Sequence, residues 1–175
     1  QMDKFKDKVV WITGSSSGIG EATAYEFAKE GAKLILTALE ADLLQQVCKK
    51  CEELGSPKAE ALPFDLSQKD QVAELAEKAW NVFGYIDVFY NNAGISQRSK
   101  TIDTEMKVIN KVMDINYFAP VIMTKVILPK MVERGGGQLV VTTSINGRFG
   151  FPLRCAYSSS KHALYGFFET IQAEY

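Results

Sequence analysis

The sequence predicts an α/β fold, a doubly wound parallel sheet with helices on both faces. Three observations carry that prediction. Five apolar runs alternate with segments of helical period along the 175 residues. The runs are apolar throughout instead of alternating with polar residues, as strands covered on both faces require. A glycine-rich turn joins the first run to the first helix.

The elements follow in order. "KVVWIT" (8–13) is a β-branched apolar run ended by glycine and reads as a buried strand. "GIGEATAYEFAKEGA" (18–32) has a helical period that turns Ala22, Tyr25, Phe27 and Ala28 to the core, with Gly31 as its stop. "KLILTA" (33–38) is the second strand and "EADLLQQVCKKCEELG" (40–55) the second helix. A third strand lies in "AEALPFDL" (59–66), and a third helix in 68–84 has Ser67 as its N-cap. "YIDVFYNNAG" (85–94) is a fourth strand running into a polar turn. A long helical stretch, 104–134, is expected to break near Pro120. A triple glycine opens the fifth strand, "GGGQLVVTTS" (135–144), and "CAYSSSKHALYGFFETIQAEY" (155–175) is the last helix. Right-handed crossovers then favour the doubly wound, Rossmann-like arrangement. The chain shows no repeat or linker, so residues 1–175 are expected to form one dinucleotide-binding and catalytic domain.

Composition narrows the function. A net charge of −1 offers no electrostatic footprint for nucleic acid or an anionic membrane. No uninterrupted apolar run reaches the ~20 residues that span a bilayer. Of the three cysteines, Cys48 and Cys51 form a CxxC within a helical pattern and lack further ligands at metal spacing, so they read as neighbours on a helix face. An odd cysteine count without a secretory leader points to a reducing compartment. His162 is the sole histidine, which argues against a Ser-His-Asp hydrolase.

The turn "TGSSSGIG" (13–20) spaces Gly14, Gly18 and Gly20 as G-x-x-x-G-x-G between a strand and a helix. One glycine permits the tight turn, a second lets backbone amides approach a pyrophosphate, and a third lets helix and sheet pack closely. The helix N-terminus adds oriented N–H groups. Asp65 falls at the end of the third strand, Asn91, Asn92 and Gly94 at the end of the fourth, and Ser144 at the end of the fifth. Parallel strands carry such residues to one edge of the sheet, where ligands of open α/β sheets bind. Tyr157 and Lys161 stand one helical turn apart, and an ammonium beside a phenol favours the phenolate. Each residue also has a plainer reading: Ser144 or Asp65 as a cap, Asn116 as a helix-kink residue, Asn92 as a turn residue.

Taken in order, TGSSSGIG, Asp65, NNAG (91–94), Asn116, Ser144 and Tyr157-x-x-x-Lys161 resemble the short-chain dehydrogenase/reductases over essentially the whole chain. The last helix is most similar to a membrane-associated branch acting on steroids, retinoids and other carbonyls. The resemblance implies hydride transfer between a nicotinamide cofactor and a carbonyl or secondary alcohol. It implies a catalytic set of Asn116, Ser144, Tyr157 and Lys161. It implies cofactor contacts from Gly14, Ser16, Ser17, Gly18, Ile19, Gly20, Asp65, Leu66, Asn92, Ala93 and Gly94, with Tyr157 and Lys161 also on the cofactor. Asp65 would bond the adenine, and Asn91 and Gly94 would shape the adenosine side. Asn116 would extend a proton relay to Lys161. A homodimer or homotetramer, and a cytoplasmic or endoplasmic-reticulum-membrane location, are further implications.

Two departures from the family pattern stand out. The second strand ends in Ala38, where NAD-specific sites place an acid, and Leu39 and Glu40 follow where NADP-specific sites place a base. The missing acid, with Ser15 to Ser17 as phosphate partners, tips the expectation to NADP, with NAD the alternative. The chain also ends at Tyr175, within the last helix, where the family continues with further strands and a substrate loop. An exposed apolar sheet edge is therefore expected. A non-catalytic dinucleotide-binding regulator is the competing function.

Overall fold

The computed structural model describes residues 4–175. Five parallel strands form one sheet in the order β3-β2-β1-β4-β5: β1 (Val9–Thr13), β2 (Lys33–Thr37), β3 (Ala59–Ala61), β4 (Val88–Asn91) and β5 (Gln138–Val141). The helices are α1 (Gly18–Lys29), α2 (Ala41–Leu54), α3 (Val72–Phe83), α4 (Met106–Met113), α5 (Ala119–Arg134) and α6 (Cys155–Glu174). The chain moves outward from β1 in one direction, then returns to place β4 on its other side. This reversal of strand order is the doubly wound arrangement expected from the sequence.

Strand periodicity divides the core in two. Val9 and Trp11 of β1 pack with Phe89 against α3 and α5, through Val72, Ala76, Ala79, Met123 and Ile127. Val10 and Ile12 face the other way, onto Ala24 and Ala28 of α1 and Leu44 and Val47 of α2. All five residues of β1 are buried, as its unbroken apolar run requires. Trp11 stacks on Phe89 with ring centres 4.3 Å apart, and its indole N–H donates to Thr37 Oγ1 at 2.9 Å. The buried polar atom of this large side chain is thus satisfied.

Several local expectations are corrected. On α1 the buried stripe is Gly20, Ala24 and Ala28, and Ala22 faces solvent. The i, i+4, i+8 spacing of small residues lets this helix lie close to the sheet. Ser67 does not cap α3. Its amide and hydroxyl donate to Asp65 Oδ1 at 3.0 and 2.7 Å, and a 3-10 turn (Lys69–Gln71) precedes the helix at Val72. The Asp65 side chain turns the backbone there before a helix can start. The long helix Met106–Arg134 is interrupted not at Pro120 but by a π-helical turn, Asp114–Phe118. Pro120 sits in the first turn of α5, directly after that π-helical turn. This 29-residue helix is long and apolar enough to cross a membrane by length and composition. Within the fold, Ala119, Met123, Ile127 and Met131 account for its apolar face by packing in the sheet core.

At the outer edge, β5 exposes Gln138 and Val140 and only half-buries Leu139 and Val141. A groove of about 830 Å³ runs beside it between α5 and α6, lined by Leu128, Met131, Leu139, Val141, Phe168 and Tyr175. This is the exposed apolar edge expected from the sequence. Cys48 and Cys51 are free, buried thiols on the core side of α2, and burial pushes each up to about 12. Among the described residues no group of three or more His, Cys, Asp or Glu could hold a metal ion.

Candidate active site

Because all strands run parallel, their C-terminal ends meet along one edge, and the glycine turn sits at its centre. Gly14 has φ +66, and a Cβ there would stand 2.8 Å from Ala93 Cα. A Cβ on Gly20 would stand 2.1 Å from the Gly14 carbonyl oxygen. The turn is therefore clamped between the loop after β4 and its own helix, and side chains at these two positions would force it apart. Ser17 begins α1 without a side-chain hydrogen bond to its first amides. Those donors, at the positive end of the helix, suit a pyrophosphate. Ser17, Gly18 and Ile19 are exposed on the same turn.

The serines of this turn serve different ends. Ser15 is fully buried and donates to the Ile12 carbonyl at 3.1 Å, so it does not face a phosphate. Ser16 donates to Glu40 Oε2 at 3.1 Å. These bonds remove part of the ground on which NADP was expected.

The loop after β4 is tied down by Thr13, Asn92 and Thr142. Thr13 Oγ1 accepts from the amides of Asn92 and Ala93, both at 3.1 Å. The Asn92 side chain donates to the Gly14 carbonyl at 3.1 Å and accepts from Thr142 Oγ1 at 2.8 Å. Asn92 thus laces the ends of three strands together, and both ends of its amide are engaged within the protein. Asn91 is buried, with no hydrogen-bond partner for its side-chain amide atoms. Gly94 lies elsewhere than expected: a Cβ there would stand 3.3 Å from Asn116 Oδ1 and 3.7 Å from Lys161 Nζ. Its place is beside the catalytic candidates.

Asn116 is fully buried in the π-helical turn. It exchanges two 2.8 Å bonds with the backbone of Ile95 and donates to Ser160 Oγ at 3.2 Å. Ser160 in turn donates to the Tyr157 carbonyl at 2.7 Å. Asn116 therefore pins the β4 loop to α6 on the turn that carries Tyr157 and Lys161. Its side-chain amide is thus engaged within the protein.

Tyr157 is half-buried, and Lys161 Nζ lies 5.7 Å from the centre of its ring. Lys161 is 7 % exposed, and burial lowers its pKa from the ordinary lysine value. Ser144 caps a short turn, Ile145–Gly147, by accepting from the Asn146 amide at 3.2 Å. That bond uses the oxygen of Ser144 and leaves its hydroxyl hydrogen to donate. The turn packs on α6, where a Cβ on Gly147 would stand 3.3 Å from the Lys161 carbonyl oxygen.

Asp65 lies in the loop after β3. The Ser67 hydroxyl and amide hold its carboxyl below the usual carboxylate range, through Oδ1. Leu66 buries its side chain in the α3 and α5 core. His162 is exposed on α6, its Nδ1 2.7 Å from the Ser158 carbonyl, apart from this set.

Gln97 was not singled out by the sequence. It is buried, donates through Nε2 to Ser99 and Thr104, and accepts from the Ala156 amide at 3.2 Å. It caps the N-terminus of the helix that carries Tyr157. Only a tertiary contact could reveal it, because 59 residues separate the partners.

A doubly wound sheet with a glycine cradle at its switch point and a Ser, Tyr and Lys set on the adjoining loop and helix defines a class of dinucleotide-dependent α/β proteins. The family model for short chain dehydrogenase matches residues 8–175, and the chain belongs to that family. Human "Dehydrogenase/reductase SDR family member 7" is 42 % identical over 171 residues, which cover 96 % of this chain and 50 % of that protein. Mouse "Dehydrogenase/reductase SDR family member 7B" is also 42 % identical, over 97 % of this chain and 53 % of that protein. The chain spans about half the length of these curated relatives. Among solved structures, levodione reductase superposes with a TM-score of 0.92 at 33 % identity, over 98 % of this chain and 67 % of that one. An NADH-dependent reductase complexed with NAD superposes at 0.89 and 28 % identity, over 99 % and 75 % of the two chains.

Proposed function

We propose that residues 1–175 form a single dinucleotide-binding and catalytic domain that interconverts a carbonyl and a secondary alcohol. The observation that carries this reading is the Tyr157–Lys161 pair, held by Asn116 and Ser160 beside the glycine cradle. The cradle suits a nicotinamide dinucleotide: Gly18, at φ +57, opens α1 with nothing within 4 Å of where a Cβ would stand, and the uncapped first-turn amides there are accessible to a pyrophosphate. When bound, that cofactor supplies or accepts the hydride.

The chain's own groups do the rest. Gly14, Ser16, Ser17, Gly18, Ile19 and Gly20 cradle the pyrophosphate and adjoining ribose, and Asp65, with the Leu66 backbone, meets the adenine. Asn92, Ala93 and Gly94 form the floor between the two halves. In reduction, Ser144 donates a hydrogen bond to the carbonyl oxygen as negative charge develops there. Tyr157 would give that oxygen its proton and be reprotonated from solvent. Lys161 stabilises the resulting phenolate and bonds the nicotinamide ribose. The substrate is a small carbonyl or alcohol compound, and the long helices within 104–134 and 155–175 would pair copies into a dimer or tetramer. The location expected from the family resemblance is cytoplasmic or at the endoplasmic reticulum membrane.

The test is a carbonyl panel with NADH and NADPH, run on the protein and on Tyr157→Phe. The variant is expected to lose about 10²–10⁴-fold in rate while binding dinucleotide normally. Equal rates in the two proteins would remove Tyr157 from the chemistry. Dinucleotide binding with no turnover of any carbonyl by the parent protein would favour a regulatory binding protein.

A further inference from the structure

We propose that Glu40, anchored by Ser16, makes the adenosine end of the cleft select NADH over NADPH. The inference rests on the dinucleotide-binding reading above. Glu40 begins α2 with its backbone carbonyl accepting from the Leu44 amide at 3.0 Å. A residue at this position ordinarily turns its side chain to the free amides of its own helix. The Glu40 carboxylate makes no such bond. It reaches instead across to the glycine turn, 24 residues earlier, and takes the Ser16 hydroxyl at 3.1 Å.

The bond spans the gap between the end of β2 and the phosphate cradle. In a doubly wound sheet the adenine ribose lies there, and an acid at the end of the second strand accepts its hydroxyls. Ala38 cannot play that part, but it is small and 92 % buried, and it yields the position to the carboxylate two residues on. A carboxylate has acceptor oxygens for a ribose 2′-hydroxyl. It repels a 2′-phosphate, which brings about two negative charges to the same place. The ordinary counter-ion is missing too: Leu39 is 65 % exposed next to Glu40, and Ser17 occupies the remaining position on the turn. The six ion pairs found among the described residues leave Glu40 out, so no lysine or arginine among them stands within 4.0 Å of its carboxylate. The site therefore offers a 2′-phosphate one negative charge and no positive one.

Equilibrium binding of NADH and NADPH, followed by nicotinamide fluorescence at two salt concentrations, tests this on the purified protein, on Glu40→Gln and on Glu40→Arg. The parent protein is expected to bind NADH about tenfold or more tightly than NADPH, most clearly at low salt. Glu40→Gln keeps the length of the side chain and the reach to Ser16, and should narrow the ratio mainly by tightening NADPH. Glu40→Arg, alone or with Leu39→Arg, should reverse it. A parent preference for NADPH, or a ratio unmoved by Glu40→Gln, would overturn the proposal and leave the dinucleotide reading intact. Failure of the parent to bind either dinucleotide would overturn both.

Discussion

Lys161 Nζ stands 5.7 Å from the centre of the Tyr157 ring, one helical turn away, in a position 7 % exposed and without an acidic partner within 4.0 Å among the described residues. Burying an unpaired ammonium is unfavourable, and its lowered pKa is the titration signature of that cost. The site holds the charge at the expense of stability, as proton-transfer sites often do.

Lys161→Met is therefore expected to abolish most of the rate and to raise Tm at pH 7, by about 2–5 °C. The pH dependence has a definite sign. The folded pKa lies below the ordinary 10.5, so between the two values the unfolded chain binds more protons and stability rises with pH. Below the folded value the whole penalty stands. Thermal melts of the parent should show this alkaline gain and those of Lys161→Met should lack it. A variant less stable than the parent at pH 7 would show that Lys161 is a structural partner.

Gln97→Leu should act through α6 without touching substrate. Removing the acceptor leaves the Ala156 amide buried without its partner, which costs about 1–3 kcal/mol. A displaced first turn misplaces Tyr157, so kcat should fall about tenfold while dinucleotide affinity holds. Gln97→Glu keeps an acceptor for Ala156 and should recover part of the loss. Equal damage to kcat and to dinucleotide affinity would mean a general loss of fold.

Gly20→Ala should fail at the cradle. The added Cβ meets the Gly14 carbonyl at 2.1 Å, against backbone that cannot yield without moving the turn. Overpacking of this kind costs about 1–3 kcal/mol, and dinucleotide affinity should drop more than tenfold. Isothermal titration on a variant confirmed as folded by circular dichroism checks it, and parental affinity would show that the turn tolerates expansion.

Cys48 and Cys51 should resist thiol reagents in the native protein. With each thiol pushed up to about 12 by burial, little thiolate exists at pH 8. A disulfide-exchange reagent should label only Cys155 quickly and the CxxC pair only on unfolding. Fast labelling of all three would show that the CxxC thiols are accessible and reactive in the native protein.

The sequence alone determined the order and type of the elements, the parallel sheet and the list of residues on its C-terminal edge. Those signals are local: unbroken apolar runs, glycines at turns, and polar residues at the ends of strands. Tertiary structure decided what each residue does there. The π-helical turn that carries Asn116 leaves no composition signal, and the bonds from Asn116 to Ile95 and Ser160 join segments 21 and 44 residues apart. Asn91 and Asn92 look equivalent in sequence, yet strand alternation buries one and aims the other at Gly14. Ser15, Ser16 and Ser17 likewise look alike, and only folding assigns the first to the interior, the second to Glu40 and the third to the surface. The physical reason is common to all these cases. Periodicity reports which way a side chain tends to point, but a hydrogen bond between distant segments exists only after the sheet has brought them together.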